Sequence, residues 1–153
     1  MAYDAHSAYQ HSEILDASPT RLVILLYRGA IEAVVRARAH QLAGERRERA
    51  TQISRAFEIL AELAGSVDRE KGGDEGRTLA LRLLQLYDYM QEQLNRANIE
   101  QIVAPLDEVE RLLGSLLEGW EGAQAQLAAS SVQGLSQFAG QGQSERKPIS
   151  LSA

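Results

Sequence analysis

Four times along this chain apolar residues recur at steps of three and four, and nowhere do they alternate with polar ones as in a half-buried strand. The first series is Leu22, Leu25, Leu26, Gly29, Ala30, Ala33, Val34 and Ala37. It follows Ser18, whose hydroxyl suits a helix cap, and Pro19, which suits the first helical position because no amide partner is needed there. Ala43-Gly44 reads as its stop. The second series is Ala50, Ile53, Phe57, Leu60, Ala61 and Ala64, and the third is Leu79, Leu83, Leu86, Tyr87, Met90 and Leu94. The fourth starts at Pro105 and takes in Leu106, Val109, Leu112, Leu113, Leu116, Leu117 and Trp120. Helices of about 20 residues, each ~30 Å long, are expected to pack as an all-α, antiparallel four-helix bundle. "NRANIEQIVA", before Pro105, is expected to hold at most a short helical turn in a bent connector. Gly29 costs ~1 kcal/mol against Ala in mid-helix, so close approach of a neighbouring backbone is its expected reason.

The 153 residues suit one globular domain, with 44% hydrophobic and 24% charged content. Residues 17–127 are expected to form the bundle, flanked by a mobile N-terminal segment, 1–16. Beyond Leu127 the chain is rich in Ser, Gln and Gly, and 128–153 is expected to be a disordered tail. With no cysteine there are no disulfides, thiolate metal sites or Cys nucleophiles. A net charge of −5 disfavours counterion-driven binding to nucleic acid or anionic membrane. No apolar run approaches the ~20 residues of a membrane span, and "MAYDAHSAYQHSEIL" lacks the basic-then-apolar order of a signal peptide, so a cytoplasmic location is expected.

"VDREKGGDEG", Val67 to Gly76, resembles a ligand loop only superficially. A phosphate loop needs Lys and then Ser or Thr after its second glycine, whereas Lys71 precedes Gly72-Gly73 and Asp74 follows. A calcium loop starting at Asp68 would put Gly72 and Leu79 where two oxygen ligands belong. The stretch is expected to be a connector. His6, His11 and His40 offer no metal set. The arginines from Arg36 to Arg55 are interrupted by Glu45 and Glu48 and read as a solvated face with pairs such as Glu45 to Arg49. No nucleophile-and-base or paired-carboxylate set can be assembled, so neither an enzyme nor a cofactor is expected.

An apolar surplus remains. Tyr87, Met90 and Leu94 share one face, and in "LVILLY" Val23, Ile24 and Tyr27 lie partly outside the stripe of the first helix. Two readings are evenly matched: a fatter core, or a groove for a partner's amphipathic helix, where aromatic and Met side chains make adaptable contacts.

Several segments together resemble the FliS family of flagellar secretion chaperones. They are "AYQ" at Ala8 to Gln10, "ASPTRLVILLYRGAI" at Ala17 to Ile31, "DREKGG" at Asp68 to Gly73, "LYDYM" at Leu86 to Met90, "RAN" at Arg96 to Asn98, and "LDEVERLL" continuing to Trp120. The resemblance implies a helical bundle that binds the disordered C-terminal segment of flagellin, blocks premature assembly and presents the subunit to the flagellar export apparatus. It also implies that the N-terminal segment, including Tyr9, folds over the apolar surface when flagellin is absent. On that basis Tyr9, Ile24, Tyr27, Tyr87, Met90 and Leu94 are the expected partner contacts. Between Gly73 and Tyr87 this sequence carries about four residues more than the family pattern, roughly one helical turn. The competing reading is a structural or regulatory bundle that forms a homodimer through the same face.

Overall fold

The computed structural model describes residues 18–141, and among them every regular element is helical. Helix α1 spans Pro19–Ala43, α2 Arg46–Gly65, α3 Gly73–Glu100 and α4 Ala104–Gln141. Each helix packs on its neighbours in chain order and α4 closes back on α1, so α1 and α3 lie diagonally opposed. Neighbours run antiparallel: Arg28 meets Glu121 and Arg38 meets Glu110 across α1 and α4. Gln91 donates to the Phe57 carbonyl, and Arg49 reaches Asn98, across α2 and α3.

The expected caps form. Ser18 Oγ accepts from the Arg21 amide at 3.3 Å, and Pro19 opens α1. Gly44, with φ 74°, ends it, while the Glu45 amide closes onto the His40 carbonyl at 2.9 Å. That left-handed residue satisfies carbonyls the helix would otherwise leave open. Gln101, with φ 57°, ends α3 in the same conformation.

Three expectations need correction. First, "NRANIE" is not connector but the last turns of α3, where Ala97 is fully buried; only residues 101–103 join α3 to α4. Second, the chain past Leu127 stays helical to Gln141, although residues 128–139 are all exposed. The polar composition rules out a core of its own, but it does not rule out extension of an existing helix, which needs no new nucleus. Residues 142–153, like 1–17, lie outside the described residues. Third, Gly29 meets no backbone: a Cβ there would touch only Ile59 Cδ1, at 3.5 Å, an ordinary contact. Gly29→Ala is therefore expected to stabilise the protein by about 0.5–1 kcal/mol in urea denaturation.

The core is built from Tyr27, Ala30, Ala33, Val34 and Ala37 of α1, Ile53, Ala56, Leu60 and Leu63 of α2, Tyr87, Met90, Leu94 and Ala97 of α3, and Leu106, Val109 and Leu113 of α4. Because α1 packs on both α2 and α4, its buried face covers about half its circumference at 100° per residue. Ile24 and Tyr27 are at its heart, whereas Leu22 and Leu25 flank it, half-buried.

Candidate functional site: an apolar groove at the glycine corner

Helix α2 is the shortest of the four, and its length creates the opening. Phe57 stands opposite Gln91 and Arg49 opposite Asn98, so Gly65 is level with about residue 83 of α3 at equal rise per residue. The first ten or so residues of α3 therefore overrun α2 by ~15 Å. No helix fills that place; the glycine corner does.

Each corner glycine has its own cause. Gly72 and Gly73 have φ of 87° and 64°, the left-handed region that costs a side chain energy. A Cβ on Gly76 would lie 2.1 Å from the Lys71 carbonyl oxygen, so the loop and the first turn of α3 can meet only without one. The Glu70 amide donates to Asp68 Oδ1 at 2.9 Å, and Arg77 pairs with Glu70 at 3.0 Å. The corner is a connector, as expected, and it is also a wall.

What it walls is a groove of about 370 Å³. Val23 of α1, Leu79, Leu83 and Tyr87 of α3, Trp120 of α4 and Val67 of the corner provide its apolar lining, and Pro19 lies at its rim. Leu79 is 61% exposed; Val23, Leu83 and Trp120 are half-buried.

Beneath it the Tyr27 and Tyr87 hydroxyls meet in a short hydrogen bond that joins the diagonal helices α1 and α3, with ring centroids 6.4 Å apart. Burial pushes both phenols above their usual value of 10.0; for Tyr27, contacts with Tyr87 and Trp120 offset part of the rise, while for Tyr87 the bond to Tyr27 adds to it. Both are neutral at pH 7. A phenol whose folded pKa lies above its unfolded value stabilises fully below pH 10 and progressively less as the pH rises beyond it. Unfolding midpoints should therefore fall faster above pH 10 in the wild type than in the Tyr27→Phe/Tyr87→Phe double variant. At pH 7 Tyr27→Phe strands the buried Tyr87 hydroxyl and should cost about 1–3 kcal/mol, whereas Tyr87→Phe leaves Tyr27 its contact with Trp120 and should cost less. The double variant should cost no more than Tyr27→Phe, and additive losses would show that the bond does not couple the helices.

The residues expected to contact a partner divide accordingly. Ile24, Tyr27, Met90 and Leu94 are fully buried, and Tyr87, at 2% exposure, shows only at the groove floor. Tyr9 lies outside the described residues. For these side chains the fatter core is the better reading, since the diagonal α1–α3 contact takes up the surplus. Val23, Leu79, Leu83 and Trp120 were read as stripe or flank residues, yet they are the ones left uncovered. The missed signal is the unequal length of the helices: Gly65 stops α2 well before the apolar stripe of α3 begins. Among the described residues no group of three or more His or acidic side chains is placed to hold a metal.

The charged residues largely join helices. Arg38 is held by Asp107 at 2.7 Å and by Glu110, and Tyr89 donates to Glu108 at 2.7 Å. The expected pairing of Glu45 with Arg49 does not form. Glu45 meets His40 instead, and Arg49 is buried, donating to Gln41 Oε1 at 2.6 Å and to Asn98 Oδ1 at 3.3 Å. The "RAN" motif thus supplies a core alanine and an acceptor for a buried cation.

The family model described as flagellar protein FliS matches residues 1–127. A flagellar secretion chaperone FliS of Salmonella typhimurium is 36% identical over 111 residues, 72% of this chain and 79% of the relative. The flagellar secretion chaperone FliSB of Pseudomonas aeruginosa is 35% identical over 111 residues, 72% and 85% of the two chains. A flagellar secretion chaperone FliS of Vibrio cholerae is 30% identical over 110 residues, 72% and 78%.

Proposed function

Since the chain belongs to the FliS family of flagellar secretion chaperones, we propose that it is an export chaperone for flagellin, with the groove at the glycine corner as the first point of contact. It binds the C-terminal segment of unassembled flagellin in the cytoplasm, prevents premature polymerisation and presents the subunit to the flagellar export apparatus. Residues 17–127 form the chaperone unit. The role is one of binding, not catalysis.

The observation that carries this reading is the open apolar groove, whose floor is Tyr87 of the core. A cavity of about 150 Å³ admits a benzene-sized group, so about 370 Å³ has room for two apolar side chains one helical turn apart. An amphipathic flagellin segment presents such pairs before assembly hides them. Ordering a disordered partner costs ~2–5 kcal/mol, so the rest of the segment has to wrap further over the bundle for useful affinity.

The test is capture from the native cytoplasm on the immobilised protein, with the bound chains identified by mass spectrometry, followed by calorimetry with a flagellin C-terminal fragment. Enrichment of flagellin and saturable one-to-one heat are expected. Capture without flagellin, or a fragment that gives no heat, would refute the reading.

A further inference from the structure

Helix α4 outruns both of its neighbours. Arg28 opposite Glu121 and Arg38 opposite Glu110 set Pro19, the start of α1, level with about residue 130 of α4. Tyr89 opposite Glu108 sets Gly73, the start of α3, level with about residue 124. Yet α4 continues to Gln141.

Its apolar line continues with it. Trp120 lines the groove, and Phe138 follows it by eighteen residues, about five whole turns, so the two side chains leave the helix in the same direction. Leu127 and Leu135 lie within about 60° of that line; they are 63% and 72% exposed, and Phe138 is 82% exposed. Val109 and Leu113, earlier on the same line, are buried in the core. One side of α4 thus passes from core to groove to open helix without a break, for ~27 Å beyond Trp120. From Gly122 to Ser144 the sequence carries no charge. The family match ends at residue 127, so most of this surface lies outside it.

The groove has room for only two apolar side chains, too few to offset the ordering of a disordered partner, so the surface beside it decides where that partner goes next. A helix leaving the groove past Trp120 meets the extension, where α3 has already ended and no described residue covers the line. About 18 residues of partner helix reach from Trp120 to Phe138. The extension also dictates their chemistry, since a charge pressed against an uncharged apolar stretch loses water and gains no partner. We propose that residues 127–139 of α4 are the second half of the flagellin-binding surface, continuous with the groove. They take an uncharged amphipathic helix of the flagellin segment, whose apolar seam runs on for about five turns beyond the pair seated in the groove. The proposal rests on the chaperone reading. A second copy is the poorer occupant, because two extensions laid together bury only Leu127, Leu135 and Phe138 of each and fall short of the ~1,200–2,000 Å² of a stable interface.

Calorimetry of a flagellin C-terminal fragment on the full chain tests it. Leu135→Asp/Phe138→Asp should weaken binding about ten- to hundredfold, since two carboxylates would be closed beneath the partner's apolar seam. Gln133→Asp/Ser136→Asp is the control: it puts the same residues into the same turns, on the side of α4 away from Trp120, and should leave affinity within about twofold. All four positions are exposed, so the unfolding midpoints of the two variants should agree. Equal losses in both variants, or no loss in the first, overturn the proposal and leave the chaperone reading standing. A wild type that gives no heat overturns both. Hydrogen exchange then locates the contact: amides of 128–139 in the wild type should slow about tenfold or more when the fragment saturates the protein. Amides that stay fast in the complex refute the contact. So does protection already present in the free protein, which grows with concentration if a second copy covers the stripe and stays constant if this chain does.

Discussion

Leu79→Glu should weaken binding of a flagellin C-terminal fragment by roughly 30- to 150-fold, the equivalent of about 2–3 kcal/mol, while barely moving the unfolding midpoint. Leu79 is 61% exposed, so the free protein leaves the carboxylate in water and loses little packing. Once a partner helix closes over the groove, the same carboxylate faces Val23, Leu83 and Trp120, and the complex bears a desolvation cost that Lys71 of the groove wall offsets only in part. Leu42→Glu is the control. Leu42 is more exposed, at 75%, and lies at the opposite end of α1 from Pro19, so its replacement should leave affinity within about twofold. Calorimetry on both variants separates the two surfaces. Equal losses would mean a non-specific response to net charge, and undiminished binding by Leu79→Glu would move the contact away from the corner.

The sequence makes the number and order of helices plain, because apolar spacing reports which face of a helix is covered. It does not report what covers it. Ile24 and Tyr27 fell off the stripe drawn through Leu22, Leu25 and Ala33 because that stripe supposes one packing partner, whereas α1 has two and meets Tyr87 of α3 across the diagonal as well. The partner surface was therefore assigned to residues that form the core. The groove depends on relative lengths: α2 ends at Gly65, α3 begins at Gly73, and antiparallel packing turns those two numbers into an overrun. Failure of "VDREKGGDEG" to match a ligand template was correctly read as a connector, but a connector can still line a cavity, as Lys71 and Gly76 do. The tail shows another limit of composition, which speaks to burial and left the helical state of 128–141 undetermined.

Arg49→Met should be the most destabilising single change among the charged residues, lowering stability by about 2–4 kcal/mol and the melting temperature by ~10 °C. At 6% exposure Arg49 is shielded from water, and its guanidinium donates to amide oxygens: Gln41 Oε1 at 2.6 Å, Asn98 Oδ1 at 3.3 Å and the Asn98 carbonyl at 3.4 Å. Two helix ends help hold the charge. Gln41 is in the last turn of α1 and Asn98 in the last turn of α3, where carbonyls without intrahelical partners carry the negative end of each helix dipole. One side chain of α2 thus fastens the ends of two diagonally opposed helices that do not pack side by side. Asn98→Leu removes the Oδ1 acceptor alone and should cost about 1–2 kcal/mol. The Arg49→Met/Asn98→Leu double variant should fall short of the sum of the singles by at least ~1 kcal/mol, since each change removes the same bonds. Urea denaturation of the four proteins gives the coupling. A loss under ~0.5 kcal/mol for Arg49→Met, the range of an ordinary surface substitution, would show that the helix ends hold together without the cation.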